Sequence, residues 1–353
     1  INLSQGFPDF QAEPALFDAM HRHMLAGRNQ YAPMAGMPEL RQAIVDKVAA
    51  LYGARFDVDS EVTVTAGATQ AIFTAIAAFV RPGDEVIVFA PVYDSYVPAI
   101  ETVGGKAVYA QLQFPDYVPD WAQVARLITP RTRMIIVNSP HNPTGSLLTA
   151  VDLEKLADLV RGTDIVVLSD EVYEHILFDG ERHASLCGHP ELAPRSIVVS
   201  SFGKTYHITG WKIGYVVGPA ALMAEFRKVH QFNVFTVHAP SQLALADYMQ
   251  DASRHLGLAA FYQEKRDFFR RILAQTPFEL LPCRGTYFQL AGYRAISDLP
   301  DRAFAEWMTR EVGVAVIPVS VFNADGRDDR VVRFCFAKKE ETLVAAGERL
   351  RRL

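Results

Sequence analysis

The sequence is poor in the features that build function from disulfides, metals or bulk charge. Its three cysteines, Cys187, Cys283 and Cys335, are odd in number, widely separated and free of any CxxC or zinc-type spacing. They read as reduced, mostly buried thiols of a cytoplasmic protein. No run of Lys and Arg reaches five residues, and 35 basic against 40 acidic residues leave a net charge of −5. That excludes the basic footprint of a nucleic-acid binder. The longest mostly apolar run, 71–80, has ten residues and contains Thr74, too short to cross a bilayer. No GxGxxG opens a helix after a strand, so a plain dinucleotide-binding reading is weak. Internal repeats, low-complexity tracts and a signal peptide are absent from the sequence. The chain opens at Ile1 rather than Met, so a short preceding piece is expected.

What is present points to a folded enzyme-sized chain. Half of the 353 residues are apolar and only 21% are charged, which rules out disorder. That length exceeds one compact core, so two domains are expected. Short β-branched runs predict strands over 61–65, 85–90, 106–110, 134–138, 165–169, 196–200 and 213–218. Several are continuous apolar runs, as strands buried on both faces require. Helical periodicity over 38–52, 69–80 and 149–161 separates them. This alternation predicts an α/β fold, a three-layer sandwich around a mostly parallel central sheet. After residue 276 the pattern changes. Strands over 278–282, 285–290, 313–318 and 330–336, with helices over 301–312 and 340–353, suggest a smaller α+β domain. We therefore expect an arm over 1–27 that packs with the small domain or the active site. A large domain over 28–275 and a small domain over 276–353 follow it.

Four motifs sit at the carboxyl ends of predicted parallel strands, the edge where open α/β sheets bind ligands. Ser200-Ser201-Phe202-Gly203-Lys204-Thr205 presents one lysine on a small, hydroxyl-rich loop, with Lys212 eight residues on. Lysine needs a partly buried, apolar setting to act as an amine near neutral pH. The hydroxyls and second cation suit a phosphate. Asn138-Ser139-Pro140-His141-Asn142-Pro143-Thr144-Gly145 follows a strand and carries two X-Pro bonds three residues apart, where cis forms fit a tight turn. Asp170 directly follows a buried strand, with Tyr173 three residues on; an ordinary helix cap is the bland alternative for Asp170. Thr65-Ala66-Gly67-Ala68-Thr69-Gln70 is a strand-to-helix turn whose free amides favour a phosphate.

Together these motifs make the chain resemble the fold-type I pyridoxal-phosphate enzymes of the class I/II aminotransferase family, within it the methionine, kynurenine and glutamine–phenylpyruvate branch. The resemblance runs from Asn2-Leu3-Ser4-Gln5-Gly6-Phe7-Pro8-Asp9-Phe10, through Gln30-Tyr31, to Arg333-Phe334-Cys335-Phe336. It implies a transaminase that moves the amino group of a neutral amino acid to a 2-oxo acid by a ping-pong mechanism. It also implies a homodimer with shared active sites. By the same resemblance Lys204 attaches pyridoxal phosphate and, once freed, carries the Cα proton. Asp170 pairs with the pyridine nitrogen, and Asn142 and Tyr173 donate to the phenolic oxygen. Gly67, Ala68, Thr69, Ser201 and Lys212 take the phosphate, joined by Tyr31 from the partner subunit. Tyr93 stacks on the ring. Arg333 grips the substrate α-carboxylate, and Gly6, Phe7, Asn142, Phe235 and Phe322 line the substrate side. A metal has no place in this scheme.

Two departures from the family pattern stand out. Lys212 replaces an arginine common in relatives, giving up the bidentate fork, and Ser139 replaces an asparagine. The stretch 230–238 contains no Arg or Lys, where dicarboxylate-specific relatives carry an arginine. The side-chain pocket is therefore expected to be apolar. Two alternatives remain open: a cysteine-S-conjugate β-lyase, which begins with the same Cα carbanion, and a non-catalytic sensor domain on the same fold.

Overall fold

A computed structural model describes all 353 residues. Seven strands form the larger sheet: β1 (Val62–Thr65), β2 (Glu85–Ala90), β3 (Lys106–Gln111), β4 (Thr132–Asn138), β5 (Val166–Asp170), β6 (Ser196–Ser201) and β7 (Gly214–Val217). Their order is β1-β7-β6-β5-β4-β2-β3. Pairing is parallel except that β7 runs against both β1 and β6. The expected α/β class and mostly parallel sheet are observed.

Side-chain alternation makes the three layers. Val86, Val88, Met134, Ile136, Val166, Leu168, Ile197 and Val199 point to one face. There they pack with the helices Gly67–Phe79, Tyr96–Thr102 and Ala220–Asn233. Ile87, Phe89, Ile135, Val137, Val167 and Val198 point to the other face, against Pro38–Tyr52 and Ala150–Val160. Buried strands with apolar residues at every position feed two separate cores, which explains why no polar alternation marks them.

A second, antiparallel sheet comprises β8 (Glu279–Leu280), β9 (Phe288–Gly292), β10 (Ile317–Pro318) and β11 (Val331–Cys335), in the order β10-β11-β9-β8. The helices Leu258–Leu273 and Glu340–Leu350 cover it. The chain's first residues join this sheet: Leu3 N–H donates to Ala315 O (3.0 Å), and Cys335 N–H donates to Leu3 O (2.8 Å).

Here several expected boundaries shift. The strand over 313–318 shrinks to Ile317–Pro318, since Gly313 ends the preceding turn at φ 74°, Val314 N–H bonds back to Met308 O and Ala315 pairs with the arm at Asn2 instead. The strand over 285–290 begins only at Phe288, because Thr286 takes a positive φ of 65°. The helix over 301–312 is α-helical as Asp301–Trp307 and then widens into a π-turn, Met308–Val312, that Gly313 ends at φ 74°. The helices Trp121–Leu127 and Leu258–Leu273 were not anticipated.

One buried charge cluster ties the strand ends together just beneath the ligand edge. Glu174 accepts from Lys47 Nζ (2.6 Å), Ser200 Oγ (2.5 Å), Tyr215 Oη (3.1 Å) and Tyr52 Oη (2.5 Å). Burial alone would raise its pKa, but Lys47 and these donors hold it well below the carboxylate range. Lys47→Met leaves that carboxylate buried without its cation. Chemical denaturation should then show a loss of about 3–5 kcal/mol; a loss below about 1 kcal/mol would mean the carboxylate is relieved by other means.

Candidate active site

The ligand edge of the large sheet opens into one cavity. Gly67, Ala68, Thr69, Tyr93, Asn142, Asp170, Tyr173, Ser201, Lys204 and Lys212 all line it. Residues at the carboxyl ends of β1, β2, β4, β5 and β6 thus converge. Ser201 closes β6 and Lys204 follows in the single helical turn Phe202–Thr205.

Lys204 Nζ donates to Tyr287 Oη (2.8 Å) and to Gly6 O (3.2 Å). It also lies over the rings of Tyr287 (5.3 Å) and Tyr173 (5.5 Å). Burial pulls its pKa down to about 8. Asp170 ends β5 and is 4% exposed. Its carboxylate accepts from Tyr96 Oη (2.6 Å) and Val172 N (3.3 Å), yet no cation bonds to it. Burial therefore raises its pKa to about 6.

Asn142 is held by the turn after β4: its N–H donates to Asn138 Oδ1 (2.8 Å), and both Ser139-Pro140 and Asn142-Pro143 are cis. Asn142 Oδ1 accepts from Arg333 Nη1 (2.7 Å), a bond that joins the two sheets. Arg333, on β11, is buried and meets no carboxylate. Nη2 donates to Ser4 O (3.2 Å), Nε has no partner, and the guanidinium lies over Phe288 (4.0 Å) and Phe322 (5.4 Å). Burial lowers its pKa.

At the other end, Lys212 takes a left-handed φ of 55°. Its amine sits beside the start of the helix Gly67–Phe79. Gly67 has φ 78°, and a Cβ there would meet Lys212 Nζ at 3.5 Å. Gly214 allows the close approach, since its Cβ would meet Ser200 O at 2.6 Å. An amine and free helix-start amides thus face one small space.

Of the expected site residues outside this lining, Gly6 meets it through Lys204, Arg333 through Asn142 and Phe322 through Arg333, while Phe7, Phe235 and Tyr31 lie apart. The Phe7 ring lies over Lys338 Nζ (4.7 Å), which also bonds the Phe7 carbonyl (2.8 Å), so the cation holds the ring away. Phe235, at φ 69°, packs edge-on against Tyr31 (5.4 Å); both are exposed, Tyr31 by 81%. Two contributors were missed. Tyr96 lies one helical turn after Tyr93, and that i, i+3 spacing was its signal. Tyr287 follows the positive-φ Thr286, and nothing in its local pattern marked it.

Comparison with known proteins agrees with this arrangement. A family model described as aminotransferase class I and II matches residues 1–350. The methionine aminotransferase of Escherichia coli is 52% identical over 100% of this chain and 92% of its own length. A crystal structure reported to identify that activity superposes with a TM-score of 0.98, covering 100% of this chain and 94% of the other. The N-succinyldiaminopimelate aminotransferase structure from Mycobacterium tuberculosis is 38% identical, with a TM-score of 0.95 over 99% and 92%. Rat kynurenine–oxoglutarate transaminase 1 is 34% identical over 100% and 92%.

The state of Asp170 gives a pH signature. Its folded pKa, about 6, exceeds the ordinary 3.8. Ionising it inside the fold therefore costs stability, fully above about pH 6 and not at all below about pH 4. The cost is roughly 3 kcal/mol. Asp170→Asn should raise the melting temperature of the ligand-free protein at pH 8, and the gain should vanish as pH falls through 6 to 4. Equal melting temperatures at both pH values would contradict the buried, uncompensated carboxylate.

Proposed function

The chain belongs to the class I and II aminotransferase family, and from that premise we propose that it moves the amino group of methionine-like or aromatic amino acids to a 2-oxo acid, with Lys204 as the proton carrier. Pyridoxal phosphate is the cofactor of this family. When bound it supplies a carbonyl that condenses with amines and a ring that withdraws electrons from Cα.

The residues present suit it. A buried carboxylate without a cation, Asp170, offers the counter-ion a pyridinium needs. Lys212 and the amides at Gly67, Ala68 and Thr69 suit the phosphate, and Tyr93 offers a ring wall. The observation that carries the proposal is Arg333: a buried guanidinium with an unpartnered Nε and no carboxylate, in bond contact with the cavity residue Asn142. An amino acid held there by its carboxylate would present its Cα toward Lys204. With a pKa near 8, that lysine is partly neutral at pH 7–8 and able to take the proton. A base so placed is worth roughly 10²–10⁴-fold.

Aromatic walls set the substrate class. Phe288 and Phe322 flank Arg333, and 230–238 contain no Arg or Lys. A methionine or phenylalanine side chain buried against them gains about 1.5–3 kcal/mol, whereas a second carboxylate loses its hydration. We expect kcat/KM for methionine or phenylalanine to exceed that for aspartate by at least roughly tenfold, read at pH 8 with a common 2-oxo acid. Comparable values would overturn the apolar-pocket reading.

We further infer a cytoplasmic homodimer in which Tyr31 serves the neighbouring site. Tyr31, Phe232 and Phe235 form an exposed aromatic set, which suits an interface. Lys204→Ala and Tyr31→Phe homodimers, dissociated and mixed, should form hybrids that carry one unmutated site and regain activity. Hybrids that form and stay as inactive as their parents would argue that each subunit works alone.

A further inference from the structure

We propose that Tyr287 is a positioning residue for Lys204: its phenol oxygen, anchored on the Gly6 carbonyl, accepts an N–H bond of the neutral lysine amine and so holds the nitrogen at the cavity. This rests on reading Lys204 as the proton carrier.

The geometry is a closed triangle. Tyr287 Oη donates to Gly6 O (2.5 Å), so the phenol's only proton is committed. Toward Lys204 Nζ, 2.8 Å away, that oxygen can only accept. Gly6 O also accepts from the same nitrogen (3.2 Å), and the two oxygens lie so close together that one N–H bond can serve both. A neutral primary amine has two N–H bonds and one lone pair. An N–H bond held on that side leaves the rest of the nitrogen's valence free, and Lys204 lines the same space as Asp170, Asn142 and Tyr173.

The proton accounting follows. When the substrate Cα–H bond breaks, its electron pair stays on the substrate and the proton forms a third N–H bond on Lys204. The N–H bond on Tyr287 stays held, so the nitrogen keeps its place at the cavity while it carries the proton. Tyr287 keeps its own proton throughout. Burial, first of all, and then the neighbouring Tyr173 hold that phenol well above its ordinary pKa.

The ring is fixed independently of its hydroxyl. Tyr287 is fully buried, edge-on to Tyr173 (5.1 Å) and Phe288 (4.9 Å). Tyr287→Phe therefore removes the acceptor and leaves the packing. In the holoenzyme, with methionine and a 2-oxo acid, kcat should fall about ten- to a hundredfold while KM for methionine stays within about twofold. In the cofactor-free protein, competitive labelling with trace acetic anhydride across pH should give a lower midpoint for Lys204 than in wild type, because the lost acceptor favoured the ammonium form. An unchanged Lys204 midpoint, or a kcat within about twofold of wild type, overturns the proposal. Lys204→Ala separates the two claims. If it stays active, the proton-carrier reading fails; if it is inactive while Tyr287→Phe is fully active, only the positioning role fails.

Discussion

The rest of the structure is arranged around two buried charges that the fold declines to neutralise. Asp170 ends a central strand without a cation, and Arg333 rises from the second sheet without a carboxylate. Either charge buried alone is costly. Each is engaged only by neutral groups: Tyr96 and the Val172 amide on one, Asn142 and the Ser4 carbonyl on the other. A ligand with a cationic ring nitrogen and an amino acid with a carboxylate would each restore one balance.

A few ångströms of chain separate that frustrated arrangement from a satisfied one. Glu174, four residues after Asp170, has an ammonium and three hydroxyls, and its pKa falls where that of Asp170 rises. Both carboxylates are buried, so burial does not distinguish them; the presence of Lys47 does. The satisfied cluster clamps β6, β7 and the helix Pro38–Tyr52. That clamp leaves the strand ends too stiff to collapse around the unsatisfied carboxylate.

Legibility in the sequence followed the same division. Lys204, Asp170, Tyr173 and Asn142 each lie within a few residues of a continuous apolar run, so strand prediction alone placed them at one edge. Arg333 was legible through the family resemblance, on the segment Arg333-Phe334-Cys335-Phe336. Tyr96 and Tyr287 were not, because their hydroxyls reach the site from a helix and from a positive-φ turn, and tyrosine in such places is ordinarily core. Phe7, placed on the substrate side by the resemblance, has its ring over the ammonium of Lys338, a partner distant in sequence. The short strands of the second sheet were overdrawn because the turn closed by Gly313 and the positive φ of Thr286 take up residues that composition alone would put in ladders.

The arm at the start of the chain shows how orientation is obtained without neutralisation. Successive carbonyls there each meet a different cation: Ser4 O accepts from Arg333, Gly6 O from Lys204, and Phe7 O from Lys338. A carboxylate in any of these places would fix the side chain equally well but would cancel its charge and raise the lysine pKa. A backbone carbonyl carries only a dipole, so it directs N–H bonds while leaving the charge for the substrate and letting Lys204 titrate near pH 8. The requirement then passes to the backbone itself. Gly6 must come so close to β9 that a Cβ would stand 2.7 Å from Phe288 Cζ. The same Phe288 ring is the wall on which Arg333 rests. The glycine of the arm, the phenyl wall and the two cations therefore form one geometric unit, in which moving any member displaces the lysine and the arginine together.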